Sequence, residues 1–142
     1  MLPNSSVNTY KQQQVLTATP EQLILMLYNG CIKFINEAEK HIQNKSIEQA
    51  HISCTKAQDI VLELIATLNM EYPISKELFT LYEYVNYELM VADLNKDVTN
   101  LQNAKKVIMN LREGWNEALK TVRADADYQP PQSAAANSGI SI

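Results

Sequence analysis

The sequence predicts an all-α protein, an antiparallel up-down four-helix bundle. Four successive segments have apolar residues at spacings of three and four, which is typical of amphipathic helices. Glycine is scarce, with 3 among 142 residues, whereas turn-rich β folds need more. The links between segments are short, which favours antiparallel neighbours. We expect one domain over residues 1–123, with an N-terminal arm over 1–16 and a disordered tail over 124–142.

The first helix is predicted from about Pro20 to Gln43, and the second from about Ile47 to Leu68. Thr19 and Gln22 form a capping box for the first helix, and Pro20 suits its first position. Ser46 is placed to cap the second helix. The predicted core stripe of the first helix is Leu23, Leu27, Cys31, Phe34, Ala38 and Ile42. That of the second is Ile47, Ala50, Cys54, Ala57, Val61, Leu64 and Leu68.

The third helix is predicted from about Ser75 to Leu94, and the fourth extends to about Arg123 after a cap at Asp97. The third stripe is Leu78, Leu81, Val85, Leu89 and Ala92. The fourth contains Val98, Leu101, Lys105, Ile108, Leu111, Trp115, Ala118 and Val122, and the neighbouring Ala104 could replace the polar Lys105 in this stripe. From Ala124 the sequence is small, polar and proline-containing, which predicts disorder.

Composition argues against several classes of partner. The net charge is −4 and the isoelectric point about 5.1, so no basic surface for nucleic acid is expected. No apolar run approaches the roughly 20 residues of a membrane span, and no signal peptide is readable. We therefore expect no stable membrane insertion and a cytoplasmic location. Cys31 and Cys54 lie in helical patterns and are predicted to be free thiols.

Catalytic chemistry has little support in the sequence. One Glu-x-x-His pair, Glu48 and His51, resembles half of a di-iron bundle motif, but no second pair exists to complete the ligand set. Cys31 lies on an apolar stripe, where an activated thiolate is not expected. The sequence predicts neither a cofactor nor a metal, and not an enzyme.

The first and third helices have more apolar residues than a bundle core needs. In the first, Ile24, Leu25, Met26 and Tyr28 fall outside the predicted stripe, and Gly30 allows either close helix packing or a close ligand. The surplus of the third helix is Phe79, Tyr82, Tyr84, Tyr87 and Met90. Clustered exposed apolar residues are typical of interaction sites, so the sequence predicts a binding surface.

The residues that suggest this surface also resemble a known family. Tyr10, Thr17-Ala-Thr-Pro-Glu-Gln-Leu23 and Met26-Leu-Tyr-Asn-Gly30 resemble the opening of the flagellar secretion chaperone family FliS. The likeness continues through Leu78-x-x-Leu81-Tyr-x-Tyr84 and Leu111-Arg-Glu-x-Trp115, and spans about residues 8–123. Asp93 departs from the family, which usually has asparagine there.

The resemblance implies a cytoplasmic chaperone that binds the disordered C-terminal region of flagellin and presents it to the flagellar type III export apparatus. It also implies that an N-terminal arm can cover the binding groove. The residues expected to form the groove or its lid are Tyr10, Ile24, Met26, Tyr28, Tyr82, Tyr84 and Met90.

Two other interpretations stay open at this stage. The surplus apolar surface could form an obligate homodimer, and a weaker homodimer is compatible with chaperone function. A metal–carboxylate oxidase bundle is motivated only by Glu48 and His51.

Overall fold

A computed structural model of the protein describes residues 17–127, with side chains described through Thr121. These residues form four helices, α1 (Pro20–Gln43), α2 (Ile47–Ala66), α3 (Pro73–Asn95) and α4 (Val98–Asp127), and no strand occurs within this range. The predicted all-α class is confirmed. The proposed arm, with Tyr10, and residues 128–142 of the proposed tail lie outside the described residues.

The four helices pack in a ring. Each contacts the two beside it, so that α1 lies between α2 and α4, and α3 lies between the same two helices on the far side. Helices α1 and α3 are therefore diagonal to each other. The short connections reverse the chain direction each time, as predicted for an antiparallel bundle.

The core lies along the axis of this ring and consists mainly of aliphatic side chains. Small residues let the helices approach closely, and larger ones fill the space between them. The fully buried side chains from the four helices include Cys31, Ile35, Ala38, Ala50, Cys54, Ala57, Val61, Leu64, Val85, Leu89, Ala92, Leu101, Ala104 and Ile108. In α4, Ala104 is fully buried in the core, in the place that the sequence pattern gave to Lys105.

Most helix ends lie within two residues of the ends predicted from the sequence. The backbone N–H of Gln22 donates to Thr19 Oγ1 and that of Thr19 to Gln22 Oε1, which confirms the capping box. Ser46 is the N-cap residue of α2, as predicted, but the predicted side-chain capping hydrogen bond is not formed. Helix α3 begins two residues early, at Pro73, since proline fits the first helical turn.

The end of α4 also differs from the sequence prediction. The helix continues to Asp127, so residues 124–127 are helical although the predicted tail begins at 124. Alanine and aspartate alternate there, and alanine is a strong helix former that can extend a helix without any apolar stripe.

Polar contacts tie α2 to α3. His51 Nδ1 lies 2.6 Å from Asp93 Oδ2, and Gln58 Nε2 donates to Asn86 Oδ1. Lys96 Nζ donates to both the carboxylate and the backbone carbonyl of Asp93. Asp93 therefore links two helices and the start of the following turn. His51, considered above as a metal ligand, is engaged in this contact.

Gly30 marks the closest approach of α1 to α2. A Cβ atom at this position would lie 3.1 Å from Ile60 Cδ1. The structure thus supports close helix packing as the reason for this glycine.

Candidate binding site

An open, largely apolar pocket lies at one end of the bundle, where α1 and α3 begin and α2 ends. Its volume is about 540 Å³. This end pocket, as we call it below, has walls from α1, α3 and α4 and from the α2–α3 loop. Its lining residues are Ile24, Tyr28, Thr67, Leu68, Asn69, Tyr72, Ile74, Ser75, Leu78, Tyr82 and Trp115.

Two buried tyrosines line the end pocket on the side that faces the bundle core. Tyr28 of α1 and Tyr82 of α3 are each only 2% exposed, and their hydroxyl oxygens lie 2.6 Å apart. This hydrogen bond joins two diagonal helices across the bundle axis. Burial raises the pKa of Tyr28. The pKa of Tyr82 is also raised, mainly by burial and to a smaller extent by the hydrogen bond with Tyr28. Both hydroxyls are therefore protonated at neutral pH.

Trp115 of α4 forms another wall of the end pocket. Its indole Nε1 donates to the backbone carbonyl of Glu21, at 2.9 Å. Glu21 lies in the first turn of α1, so this bond fixes the indole beside the start of that helix. The ring presents an apolar surface whose one polar group is already paired.

The exposed surface of α3 is also rich in large apolar side chains, outside the end pocket as well as at its edge. Tyr84 is 42% exposed and Met90 is 49% exposed. Met90 lies in the same helical row as Asn86 and Asp93, which face α2. The other exposed apolar side chains of α3 are Ile74, Leu81, Tyr87 and Leu94.

The residues predicted for the groove thus fall into separate places. Ile24, Tyr28 and Tyr82 come together at the end pocket. Met26 is half-buried on α1, and Tyr84 and Met90 lie on exposed parts of α3.

The prediction that Tyr28 points away from the first core stripe is wrong, and Tyr82 is likewise a core residue. Each hydroxyl has its hydrogen-bond partner inside the bundle, which allows a tyrosine to be buried there. Leu27 and Phe34, assigned to the core from sequence, are only partly buried against it.

Several pocket residues were not predicted as site residues. Trp115 and Leu68 were assigned to core stripes, and Ile74 precedes the predicted start of the third helix. The signal that could have found Ile74 and Tyr72 is Pro73, because a proline at the first helical position places both at the end of the bundle.

Features that would support catalysis are weak in the described part of the chain. Burial raises the pKa of Cys31 to about 12 and that of Cys54 to about 11, so both remain thiols at neutral pH. Between residues 17 and 127, no three His, Cys, Asp or Glu side chains are grouped to hold a metal ion. None of the helices there is both long and apolar enough to span a membrane.

The fold and the end pocket define a small all-helical protein with a surface suited to binding an apolar segment. Comparison with known proteins gives the family. Residues 3–122 match the family model described as flagellar protein FliS. The chain belongs to the FliS family, and the resemblance seen in the sequence is confirmed.

Individual relatives agree with this assignment. The chain is 37% identical over 116 residues to the flagellar secretion chaperone FliS of Bacillus subtilis, covering 82% of this chain and 87% of the relative. It is 32% identical over 119 residues to the protein of the same name from Campylobacter jejuni, covering 82% and 93%.

A solved structure supports the fold. A bacterial flagellar chaperone of known crystal structure aligns with a TM-score of 0.68 at 20% identity, over 84% of this chain and 98% of that one.

Proposed function

We propose that this protein is a cytoplasmic export chaperone that binds the disordered C-terminal region of flagellin. By covering that region it prevents premature polymerisation, and it supports delivery of flagellin to the flagellar type III export apparatus. Membership of the FliS family and the names of the curated relatives support this proposal. The protein acts as a binding partner and not as an enzyme.

The observation that best supports the proposal is the end pocket together with the exposed apolar side chains of α3. A client helix with an apolar face can place side chains into the pocket and along α3, as in helix-in-groove recognition. A client that is disordered when free loses conformational entropy on binding, and burial of these side chains offsets that cost. The proposed contacts or lid residues are Tyr10, Ile24, Met26, Tyr28, Tyr82, Tyr84 and Met90.

Co-expression with flagellin tests the proposal directly. We expect full-length flagellin to co-purify with the chaperone, and flagellin without its C-terminal region not to do so. Calorimetry with a peptide of that region should give tight binding and a clearly negative heat-capacity change, because apolar surface is buried. The absence of binding in both experiments would refute the client assignment.

An obligate homodimer is the competing proposal. It is favoured by the exposed side chains of Leu62 on α2 and Met90 on α3, since apolar surface of this kind also suits a subunit interface. Light scattering at micromolar concentration separates the two. A persistent dimer that flagellin neither dissociates nor joins would favour the homodimer over the chaperone.

A further inference from the structure

The tyrosine pair beside the end pocket has one more proton than its hydrogen bond uses. Tyr28 and Tyr82 hold two hydroxyl protons, and only one of them is needed for the bond between the two oxygens. Between residues 17 and 127 the pair has no other hydrogen-bond partner. One O–H group is thus left to donate, and leaving a buried donor unpaired is unfavourable.

The direction of the side chains places these hydroxyls on the pocket side. Side chains on a helix lean towards its N-terminus. Both α1 and α3 begin at the end of the bundle that contains the pocket. Tyr28 and Tyr82 therefore extend from the core towards the pocket, which both of them line.

A second hydroxyl of the pocket, that of Ser75, also has a proton left to donate. Ser75 is 4% exposed and lines the pocket, and its hydroxyl makes no hydrogen bond with another described side chain or backbone group. Helix α3 begins there without a side-chain cap from Tyr72, so its positive end faces the same space. Thr67 Oγ1 donates to the backbone carbonyl of Leu64, and Asn69 Oδ1 accepts from the backbone N–H of Glu71.

An occupant of this pocket should therefore combine apolar side chains with hydrogen-bond acceptors. The last turn of an amphipathic helix has both, because its final carbonyl oxygens have no partner within their own helix. The negative end of such a helix also suits the positive start of α3.

We propose that the end pocket binds the C-terminal turn of a client helix, with the free hydroxyl of the Tyr28–Tyr82 pair donating to a last-turn carbonyl oxygen. An aliphatic side chain of the same turn packs between Ile24, Leu78 and Trp115. This inference rests on the proposed function, because the client helix belongs to the C-terminal region of flagellin.

The test compares the double variant Tyr28→Phe/Tyr82→Phe with the wild type in calorimetric titrations of a flagellin C-terminal peptide. The double variant keeps both rings but has no hydroxyl to donate. A client carbonyl left unpaired in the pocket should weaken binding about 5- to 100-fold. Thr55→Val is the control that removes a hydroxyl elsewhere, because Thr55 is exposed on α2 and lies outside the pocket, and its affinity should equal that of the wild type.

The two single variants distinguish recognition from folding. Each keeps one hydroxyl that can still donate to the client, so its affinity should stay within about 3-fold of the wild type. Each also leaves that hydroxyl without its partner in the free protein, so both should unfold at lower urea concentration than the wild type. In the double variant both partners are replaced by apolar groups, and stability should recover.

The results separate the inference from the function on which it rests. Wild-type affinity in a folded double variant overturns the donor role of the tyrosine pair while leaving flagellin binding intact. No binding by the wild type overturns the function and the inference together. If circular dichroism shows that the double variant is unfolded, Ser75→Ala decides: a loss of about 2- to 12-fold supports donor recognition in the pocket, and unchanged affinity overturns it.

Discussion

Replacement of Met90 by alanine tests whether the exposed surface of α3 contacts the client. Met90 lies outside the end pocket, so the variant leaves the pocket and its tyrosine pair intact. The side chain is 49% exposed, and its removal should change the free energy of unfolding by less than about 1 kcal/mol. Any larger effect on flagellin binding can then be attributed to the contact itself.

The exposure of Met90 sets the size of the expected effect. Complete burial of a methionine side chain contributes about 1.5–3 kcal/mol. Because 49% of the side chain is still accessible, a client can bury only about half of that amount, or about 0.7–1.5 kcal/mol. The dissociation constant should therefore rise about 3- to 12-fold.

Met109→Ala provides the control for this measurement. Met109 is also a methionine and is 40% exposed, but it lies on the outer surface of α4 among polar residues. Titration of a flagellin C-terminal peptide should show the loss for Met90→Ala and wild-type affinity for Met109→Ala. Equal affinities for the two variants would refute a contact that is specific to α3.

Three further predictions concern stability, each measured by urea unfolding. Asp93→Asn should lower the free energy of unfolding by about 1 kcal/mol, because a neutral amide cannot replace the carboxylate that pairs with Lys96 and contacts His51; an unchanged midpoint would contradict this. Gly114→Ala should stabilise the protein by about 0.5–1 kcal/mol, since its Cβ meets nothing within 4 Å, and Gly30→Ala should gain less because it meets a neighbouring side chain at 3.1 Å. Burial raises the pKa of Cys31 to about 12, so the neutral thiol contributes fully to the free energy of unfolding below about pH 8, and this contribution is lost as pH rises towards 12. Cys31→Ala should therefore make the free energy of unfolding fall less steeply with rising pH in the alkaline range.

The sequence was sufficient for the bundle because local signals define its helices. The capping box at Thr19 and the alternating stripe of α2 each depend on residues that are close in sequence. Ser46 shows where such signals fail: a residue of the right type precedes α2, but its side chain makes no hydrogen bond with the helix N–H groups.

The site was predicted less well, because burial in a helix that is apolar on every side depends on distant residues. The segment Leu23–Tyr28 allows more than one stripe at helical spacing, and the wrong one places Tyr28 at the surface. The core position of Tyr28 depends on Tyr82, 54 residues away, because the hydroxyl groups of the two tyrosines form a hydrogen bond with each other. Likewise, the end pocket forms only when the starts of α1 and α3 meet Trp115 of α4.

The position of Trp115 has a practical consequence for measurements on this protein. It is the only tryptophan of the chain, and it stands in the wall of the end pocket with its N–H bound to Glu21. Indole fluorescence responds to the polarity of the surroundings, so the protein has an intrinsic optical probe at one defined place. Indole emission from the unlabelled protein therefore reports on this pocket, and entry of an apolar side chain should shift that emission to shorter wavelength.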